Sequence, residues 1–353
     1  MKALVLAGGK GTRLRPITHT SAKQLIPVAN KPILFYGLEA LREAGISDVG
    51  IIVGDTAEEI RDAVGDGSPW NLEVTYIRQA EPLGLAHTVL VAREFLGDDD
   101  FVMYLGDNLL LEGLRPFVEE FERHRPNAQI LLSAVPEPER FGVAVLEGDR
   151  VVRLVEKPRE HISDLALVGV YLFDRTVHEA VSAVEPSWRG ELEITDSIQF
   201  LVDRGRTVRA EQVTGWWKDT GKLEDLLEAN RLTLSELETR IDGEVDDVSQ
   251  VVGPLVVEEG AKISRSTVLG PAIIGRDTII EDSQIGAFAS ISYECEIRGS
   301  QIEDSIIMER CRIEEVEGLG KSLLGKDVEV RRGQRRPRMY RLMLGDQSQV
   351  EVL

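Results

Sequence analysis

An aliphatic side chain recurs every five or six residues from Val251 to Ile313, and this repeat constrains the fold more than any other feature. A repeat of about six residues predicts a parallel β-helix, in which each coil has three short faces that each turn one aliphatic side chain inward. A β-sandwich would instead alternate with period two and place turn clusters about every 8 to 12 residues. We therefore expect a left-handed parallel β-helix with these inward positions: Val251, Val257, Ile263, Val268, Ile274, Ile280, Ile285, Ile291, Ile297, Ile302, Ile307 and Ile313.

The chain before residue 240 has a different pattern, in which strand-like apolar runs alternate with amphipathic helical segments. Such alternation is typical of a layered α/β domain, here a Rossmann-like doubly wound sheet whose ligand lies beyond the C-terminal ends of the strands. The expected strands are 49–53, 72–77, 101–105, 130–135, 150–155 and 165–173, and the expected helices are 34–44, 85–95, 194–202 and 222–240.

These patterns predict four regions: an α/β domain over 1–240, a linker over 241–250, the β-helix over 251–330 and a basic tail over 331–353. Charge runs usually serve solvation or packing, so we expect the tail to fold back on acidic surface such as Glu314, Glu315 and Glu317. Binding of an anionic ligand is the alternative. The arginines of the tail are Arg331, Arg332, Arg335, Arg336, Arg338 and Arg341.

The first strand runs into a glycine-rich basic loop, Gly8-Gly9-Lys10-Gly11-Thr12-Arg13. Glycines let backbone N–H groups close on phosphate oxygens while the cations balance their charge, so the loop predicts a nucleoside triphosphate site. A dinucleotide fingerprint is excluded because Leu14 stands where its third glycine belongs, and a Walker A loop is excluded because no Gly-Lys-Ser or Gly-Lys-Thr follows at the required spacing.

Composition narrows the class of protein further. A formal net charge of −20 argues against nucleic acid as a partner, since nonspecific binding needs a broad cationic surface. The longest apolar runs have the length of strands, so no membrane association is expected. The two cysteines, Cys295 and Cys311, form neither a disulfide framework nor a zinc motif, and we expect a reducing cytoplasm.

Five further motifs accompany the glycine loop. They are 21–28 with Lys23-Gln24-Leu25, Gln79 with 82–86, Leu105-Gly106-Asp107-Asn108, Glu156-Lys157-Pro158, and Trp216-Trp217-Lys218-Asp219. Taken together and in this order, they resemble the bacterial sugar-phosphate nucleotidylyltransferases, most closely the glucose-1-phosphate thymidylyltransferase branch in its long form. The segment 190–196 also resembles that branch, whereas the uridylyl branch typically has Glu-Met in place of Gln24-Leu25.

The resemblance implies an enzyme that uses Mg²⁺ to join dTTP and glucose 1-phosphate into dTDP-glucose with release of pyrophosphate. Asp107 and Asp219 would bind the metal, because carboxylates are hard oxygen ligands suited to Mg²⁺. Arg13 would stabilise the leaving pyrophosphate and Lys23 the α-phosphate. With Lys157, these residues complete the implied catalytic set of Arg13, Lys23, Asp107 and Lys157.

The same resemblance implies two binding sets. Gln79 and Gly84 would hydrogen-bond the base, Glu156 the sugar hydroxyls and Lys157 the sugar phosphate. The nucleotide set is Leu6, Ala7, Gly8, Gly9, Gly11, Thr12, Arg13, Lys23, Gln24, Gln79 and Gly84, and the sugar-phosphate set is Asn108, Gly142, Glu156, Lys157, Leu167 and Tyr171.

Two other functions remain open. Thymine and uracil differ by one methyl group, worth about 1 to 3 kcal/mol in a pocket, so a UTP-dependent uridylyltransferase is one alternative. A non-catalytic sugar-nucleotide sensor is the other. The β-helix contains no histidine, which argues against a second, acyl-transfer activity. We interpret it as an assembly or regulatory module of a homo-oligomer.

Overall fold

The computed structural model describes residues 1–9, 11–19, 21–148 and 150–333. The chain forms two compact units. The first comprises Met1–Gly11, Ser21–Leu25 and Ile33–Asp219, and the second comprises Thr12–Thr20, Ile26–Pro32 and the chain from Thr220 onward. Two short segments from the start of the chain therefore belong to the same unit as the C-terminal part.

Up to Ser235 the chain contains both strands and helices. The strands are β1 Lys2–Leu6, β2 Pro27–Val28, β3 Lys31–Pro32, β4 Asp48–Val53, β5 Glu73–Arg78, β6 Phe101–Leu105, β7 Asn108–Leu110, β8 Ala128–Ala134, β9 Gly142–Glu147, β10 Arg150–Glu156, β11 Leu165–Phe173, β12 Val208–Gln212 and β13 Trp217–Asp219. The helices are α1 Ile33–Glu43, α2 Ala57–Val64, α3 Leu85–Val91, α4 Arg93–Leu96, α5 Arg115–His124, α6 Val177–Ala183, α7 Ile194–Asp203 and α8 Leu223–Ser235.

The first unit is built on a nine-stranded sheet in the order β5-β4-β1-β6-β11-β8-β12-β10-β9. Strands β5, β4, β1 and β6 are parallel, whereas β11 runs antiparallel to both of its neighbours, β6 and β8. Leu6 pairs with Leu105 at the ends of β1 and β6. Because these strands are parallel, the loops that follow them leave from the same edge of the sheet.

Apolar side chains cover both faces of this sheet. Along β1, Ala3 and Val5 pack on one face with residues of α1, α2 and α5, while Leu4 and Leu6 pack on the other with α3, α6 and α7. Helix α1 approaches β6 so closely that a Cβ at Gly37 would lie 2.7 Å from the Tyr104 ring. The expected doubly wound α/β fold is thereby confirmed, as a mixed sheet with a parallel half.

Two of the expected helices differ from the structure. The helix expected at 85–95 is divided at Ala92 into α3 and α4. The helix expected at 222–240 ends at Ser235, because Arg240 and Ile241 pair with Val256 and Val257 in the C-terminal fold.

The C-terminal part consists of short strands that form three parallel sheets of six, six and five strands. The strands are β14 Arg240–Ile241, β15 Glu244–Val245, β16 Gln250–Val252, β17 Leu255–Val257, β18 Lys262–Ser264, β19 Thr267–Leu269, β20 Ala272–Ile274, β21 Ile279–Glu281, β22 Gln284–Ile285, β23 Ala289–Ile291, β24 Glu296–Arg298, β25 Gln301–Glu303, β26 Ile306–Ile307, β27 Arg312–Glu314, β28 Leu319–Gly320, β29 Leu323–Leu324 and β30 Glu329–Arg331.

These three sheets are the faces of the expected parallel β-helix and are consistent with its left-handed form. Serines at the corners stack in a ladder: the Ser283 N–H donates to Ser266 Oγ and the Ser300 N–H to Ser283 Oγ, each 17 residues away. One coil thus takes two steps of six residues and one of five, which explains the irregular spacing of the sequence repeat. Ile263, Ile280 and Ile297 pair in successive coils and are buried in the core.

The structure corrects the expected linker. Residues 241–250 contain β15 and the start of β16, which pair with β18 and β19, so this segment belongs to the first coil. Val251, expected to point inward, is 36% exposed in that terminal coil.

The two cysteines and part of the basic tail are described. Cys295 and Cys311 are buried without a disulfide in the β-helix core. Arg332 forms an ion pair with Glu317, one of the acidic residues expected to receive the tail, while Arg331 lies 3.6 Å from Glu329. Arg335, Arg336, Arg338 and Arg341 lie outside the described residues. No helix in the described part of the chain is long and apolar enough to cross a membrane.

Candidate active site

The site begins where β6 ends. Strand β13 pairs antiparallel with β7, which sets Asp219 opposite Asn108 and therefore beside Asp107. Lys23 lies in a short 3-10 turn, Lys23–Leu25, and its side chain is buried. Its Nζ donates to Asp107 Oδ2 and lies 3.9 Å from Asp219 Oδ1. Three residues that are distant in sequence thus place one ammonium between two carboxylates.

The Asp107 carboxyl is held in its ionised form. Burial by itself would raise its pKa, but the Lys23 ammonium and hydrogen bonds from Lys23 and Asn108 outweigh burial and hold the pKa below its usual range. Asn108 Nδ2 donates to Asp107 Oδ1 at 3.0 Å, and Trp217 Nε1 donates to Asn108 Oδ1 at 2.6 Å. Trp217 therefore fixes the amide that in turn orients the carboxylate.

The donor set around Lys23 fits magnesium. Asp107 and Asp219 supply hard carboxylate oxygens, and an ammonium already bound between them shows that the position favours a cation. Among the described residues, no group of three or more His, Cys, Asp and Glu side chains is arranged to hold a metal ion. Carboxylate oxygens suit Mg²⁺, which is usually bound through one or two carboxylates together with waters and substrate phosphates.

A cavity of about 250 Å³ is lined in part by Asp107. Gln24 is 2% exposed, and its Oε1 has no hydrogen-bond partner among the described residues. Buried polar atoms are nearly always paired, so this oxygen is an exception within the site. The predicted residues that line the cavity are Leu6, Gly8, Gly9, Gln24, Gln79, Gly84 and Asp107.

Glycines let the backbone close around this cavity. Gly84 has a φ of +104°, and a Cβ there would lie 2.4 Å from the Leu192 carbonyl oxygen. Gln79 Nε2 donates to the Gly84 carbonyl at 3.3 Å and lies 3.0 Å from His87 Nδ1. The Gln79 side chain is thereby held at the wall of the cavity.

Five predicted nucleotide residues are not part of the cavity wall: Lys23, whose contacts are given above, and four others. Ala7 is fully buried and donates its N–H to the Ile52 carbonyl. Gly11 continues the loop with a φ of +57°. Thr12 and Arg13 belong to the second unit, where they line another cavity, of about 700 Å³, with Arg15, Lys222 and Leu323. The sequence did not predict that second cavity.

Apart from Asn108, the predicted sugar-phosphate residues lie on, or directly after, strands β9, β10 and β11 of the nine-stranded sheet. Glu156 pairs with Gly142, where a Cβ would lie 2.9 Å from Glu156 Oε2 and 3.4 Å from Leu167 Cδ1. Lys157 Nζ is 3.9 Å from Glu156 Oε1. Burial, with a smaller contribution from the Glu156 charge, raises the pKa of Tyr171. Asn108 lies next to Asp107, and its side chain is so close to Gly169 of β11 that a Cβ there would lie 2.8 Å from it.

Sequence reasoning missed three residues near Glu156. Arg189 Nη1 lies 3.4 Å from Glu156 Oε1 and 3.3 Å from Glu193 Oε1, and Thr195 Oγ1 donates to Glu156 Oε2 at 3.3 Å. Glu193 and Thr195 lie in the segment 190–196, whose resemblance to the thymidylyltransferase branch was the only signal for them in the sequence. Burial and the Glu193 charge raise the pKa of Glu156 despite the opposing charges of Lys157 and Arg189.

Comparison with known proteins defines the class. The profile of the nucleotidyl transferase family matches residues 2–236, and the chain belongs to that family. A glucose-1-phosphate thymidylyltransferase of Streptomyces griseus is 55% identical over 353 residues, covering 100% of this chain and 99% of its own length. Another, of Streptomyces antibioticus, is 56% identical over 354 residues with the same coverage.

Solved structures agree with this assignment. A crystal structure from Bacillus anthracis, assigned as a glucose-1-phosphate thymidylyltransferase and bound to sucrose, superposes with a TM-score of 0.62 at 37% identity. The match covers 66% of this chain and 94% of that one. The resemblance drawn from the sequence motifs is confirmed at the level of the family.

Proposed function

We propose that this protein is a glucose-1-phosphate thymidylyltransferase, which makes dTDP-glucose and pyrophosphate from dTTP and glucose 1-phosphate. The observation that carries the proposal is the Lys23 ammonium between Asp107 and Asp219, beside a glycine-walled cavity. Relatives of this activity that match the chain over its whole length support it.

The reaction exchanges one phosphorus–oxygen bond for another. A phosphate oxygen of glucose 1-phosphate bonds to the α-phosphorus of dTTP, and the bond from that phosphorus to the β-phosphate bridge breaks, so pyrophosphate leaves with its electron pair. No general base is required, because a phosphate monoester with a second pKa of about 6 is already mostly ionised at neutral pH. The protein's task is to position the two reactants and to balance their negative charge.

Asp107 and Asp219 would hold the magnesium ion, which when bound neutralises charge on the triphosphate and the incoming phosphate. Lys23 serves the α-phosphate from its position between these carboxylates. Arg13 is proposed to stabilise the leaving pyrophosphate, a role that rests on the sequence motif. Loss of one such preorganised cation typically costs about 3 to 4 kcal/mol of barrier.

The cavity is proposed to hold the base. Gln79 and the backbone of Gly84 would hydrogen-bond the base, and Gln24 lies at the same wall. Leu6, Ala7, Gly8, Gly9, Gly11 and Thr12 would supply the backbone around the nucleotide.

The cluster around Glu156 is proposed to hold the sugar phosphate. Glu156 accepts hydrogen bonds from sugar hydroxyls and Lys157 binds the phosphate, while Asn108, Gly142, Leu167 and Tyr171 shape the pocket. The contacts of Gly142 with Glu156 and Leu167 support a common pocket.

A panel of nucleotides tests this function. Pyrophosphate release is measured with glucose 1-phosphate and each of dTTP, UTP, ATP, CTP and GTP, and kcat/KM is compared. We expect dTTP to be the best substrate. A higher kcat/KM for UTP would make the protein a uridylyltransferase, and nucleotide binding by calorimetry without any product would favour a sensor.

Three further properties are proposed with this function. Catalysis is assigned to residues 1–240. The location is the cytoplasm, where the unpaired Cys295 and Cys311 stay reduced. The protein assembles as a homo-oligomer, which light scattering of the purified chain would test.

A further inference from the structure

The neighbours of the Gln79 amide determine which way it faces. Its Nε2 lies 3.3 Å from the Gly84 carbonyl oxygen, which can only accept a hydrogen bond, so the amide turns its NH2 group toward Gly84. Its Oε1 lies on the side of Gly8, where a Cβ would come within 3.8 Å of it. Gln79, Gly84 and Gly8 all line the cavity of about 250 Å³. The acceptor of the amide is therefore on the side of the cavity that Gly8 forms.

His87 uses the other N–H bond of the same NH2 group. Its Nδ1 lies 3.0 Å from Gln79 Nε2, and His87 itself stands in the first turn of α3. Since an amide NH2 group only donates, Nδ1 has to accept, which requires the neutral imidazole with its proton on Nε2. His87 is not one of the described residues that line the cavity, so Gln79 is its connection to that cavity.

We propose that His87 is a positioning residue that selects the base by fixing the Gln79 amide. With both N–H bonds used by Gly84 and His87, the side chain offers a ligand an acceptor and no donor. An acceptor pairs with the N3–H of thymine or uracil, whereas N3 of cytosine is itself an acceptor and finds no partner. This inference rests on the proposed nucleotide site, and its test measures binding rather than turnover.

Substitutions at His87 separate its acceptor from its size. His87→Leu removes Nδ1, so the Gln79 amide keeps only Gly84 as a fixed partner and can turn over. His87→Asn keeps an acceptor, because its Oδ1 branches from the same atom, Cγ, as Nδ1 does. Leu90→Ala is the control for α3: Leu90 is half-buried against the core one turn further along and is not one of the described residues that line the cavity.

Calorimetric titration with dTDP and with dCDP tests the proposal. The selectivity is defined as Kd for dCDP divided by Kd for dTDP, and the wild type should bind dTDP more tightly. We expect His87→Leu to raise Kd for dTDP about tenfold and to lower the selectivity at least about fivefold, because a turned amide can donate to N3 of cytosine. His87→Asn and Leu90→Ala should keep the selectivity within about twofold of the wild type.

A folded His87→Leu protein with wild-type selectivity would overturn the positioning role. An equal fall in selectivity for Leu90→Ala would overturn it too, since loosening of α3 would then suffice. Should His87→Leu fail to fold, His87→Phe keeps an aromatic ring without Nδ1 and should lower the selectivity in the same direction. Circular dichroism identifies the folded variants.

A double substitution shows whether His87 acts through Gln79. In a Gln79→Ala background there is no amide to turn, so His87→Leu should change Kd for dTDP by less than about twofold. A loss by the same factor in both backgrounds would mean that His87 contacts the base directly or only stabilises α3. Either result would remove the positioning role.

The inference and the proposed function fail in different measurements. A wild-type protein that binds dTDP but releases no pyrophosphate would contradict the proposed function, and the selectivities would still decide the role of His87. A wild-type protein that turns over dTTP while His87→Leu keeps its selectivity would contradict the inference alone. Binding of neither dTDP nor dCDP by the wild type would overturn the base site and the inference together.

Discussion

At the scale of single residues, the site depends on the balance of charge around Lys23. Asp107 keeps its carboxylate because Lys23 and Asn108 offset the cost of its burial. Asp107→Asn removes that charge and the proposed metal ligand while keeping the shape of the side chain. We expect kcat/KM for dTTP to fall at least about 100-fold, as for loss of a preorganised electrostatic group. Steady-state pyrophosphate release measures this, with circular dichroism to show that the fold is kept.

The pKa of Glu156 is shifted in the opposite direction from that of Asp107, and this shift predicts how stability depends on pH. Burial and Glu193 raise its pKa above the ordinary value of 4.5, so the folded state disfavours the charged form relative to the unfolded chain. Above the raised pKa this lowers the free energy of unfolding, and the penalty is absent below the unfolded pKa. We therefore expect Glu156→Gln to raise Tm at pH 7 and to leave it unchanged near pH 4, as measured by calorimetry.

The same variant should lose function. Hydrogen bonds to a charged partner contribute about 1.5 to 3 kcal/mol, so KM for glucose 1-phosphate should rise at least about tenfold. A Tm at pH 7 below that of the wild type would show that the ion pairs with Arg189 and Lys157 outweigh the cost of burial.

Some residues of the site could be predicted from the sequence and others could not, for a physical reason. Lys23, Asp107 and Asp219 stand in recognisable motifs, and the structure brings them together. Arg189 stands outside those motifs, and its contact with Glu156 depends on how the loop before α7 folds. A long-range contact of this kind leaves no periodic pattern in the chain.

At the scale of elements, the serine ladder of the β-helix predicts that removing one of its serines lowers the free energy of unfolding. Ser283 Oγ accepts from the Ser300 N–H at 3.1 Å and donates to the Glu281 carbonyl at 2.6 Å. Ser283→Ala leaves a buried N–H without its partner, which should lower the free energy of unfolding by about 1 to 3 kcal/mol. Denaturant unfolding measures this change, and pyrophosphate release should stay at the wild-type level.

Gln284 supplies the control for that substitution. It follows Ser283 directly, its side chain is exposed, and it shares a surface hydrogen bond with Gln301. Gln284→Ala should change stability by less than about 0.5 kcal/mol. Equal losses in the two variants would mean that the ladder does not stabilise the coils beyond an ordinary surface contact.

Strands with strong burial were the most predictable elements. The expected strands 101–105 and 165–173 match β6 and β11, which are buried along nearly their whole length. The predicted end of α8 at residue 240 and the predicted linker over 241–250 were wrong. Strands β14 and β15 are short and largely exposed, so no apolar pattern marks them in the sequence. Their position is set by pairing with strands from the next coil, a contact between distant residues.

At the scale of the whole molecule, a chain with a net charge of −20 must bring together two anionic substrates. The described structure places Lys23 between Asp107 and Asp219 and Lys157 beside Glu156, where the proposed function needs positive charge. If magnesium completes the charge balance, EDTA should abolish turnover and added Mg²⁺ should restore it, while the thermal transition of the protein without substrates shifts little. Full turnover in EDTA would remove the metal role from Asp107 and Asp219.

The central claim is that one site joins two anions by exchanging pyrophosphate for glucose 1-phosphate at the α-phosphorus. The most direct measurement is the stoichiometry of pyrophosphate and dTDP-glucose formed when dTTP, glucose 1-phosphate and Mg²⁺ are supplied together and when each is omitted. We expect equal amounts of the two products from the complete mixture and neither product from any incomplete one. Pyrophosphate released without glucose 1-phosphate, or no product from the complete mixture, would contradict the claim.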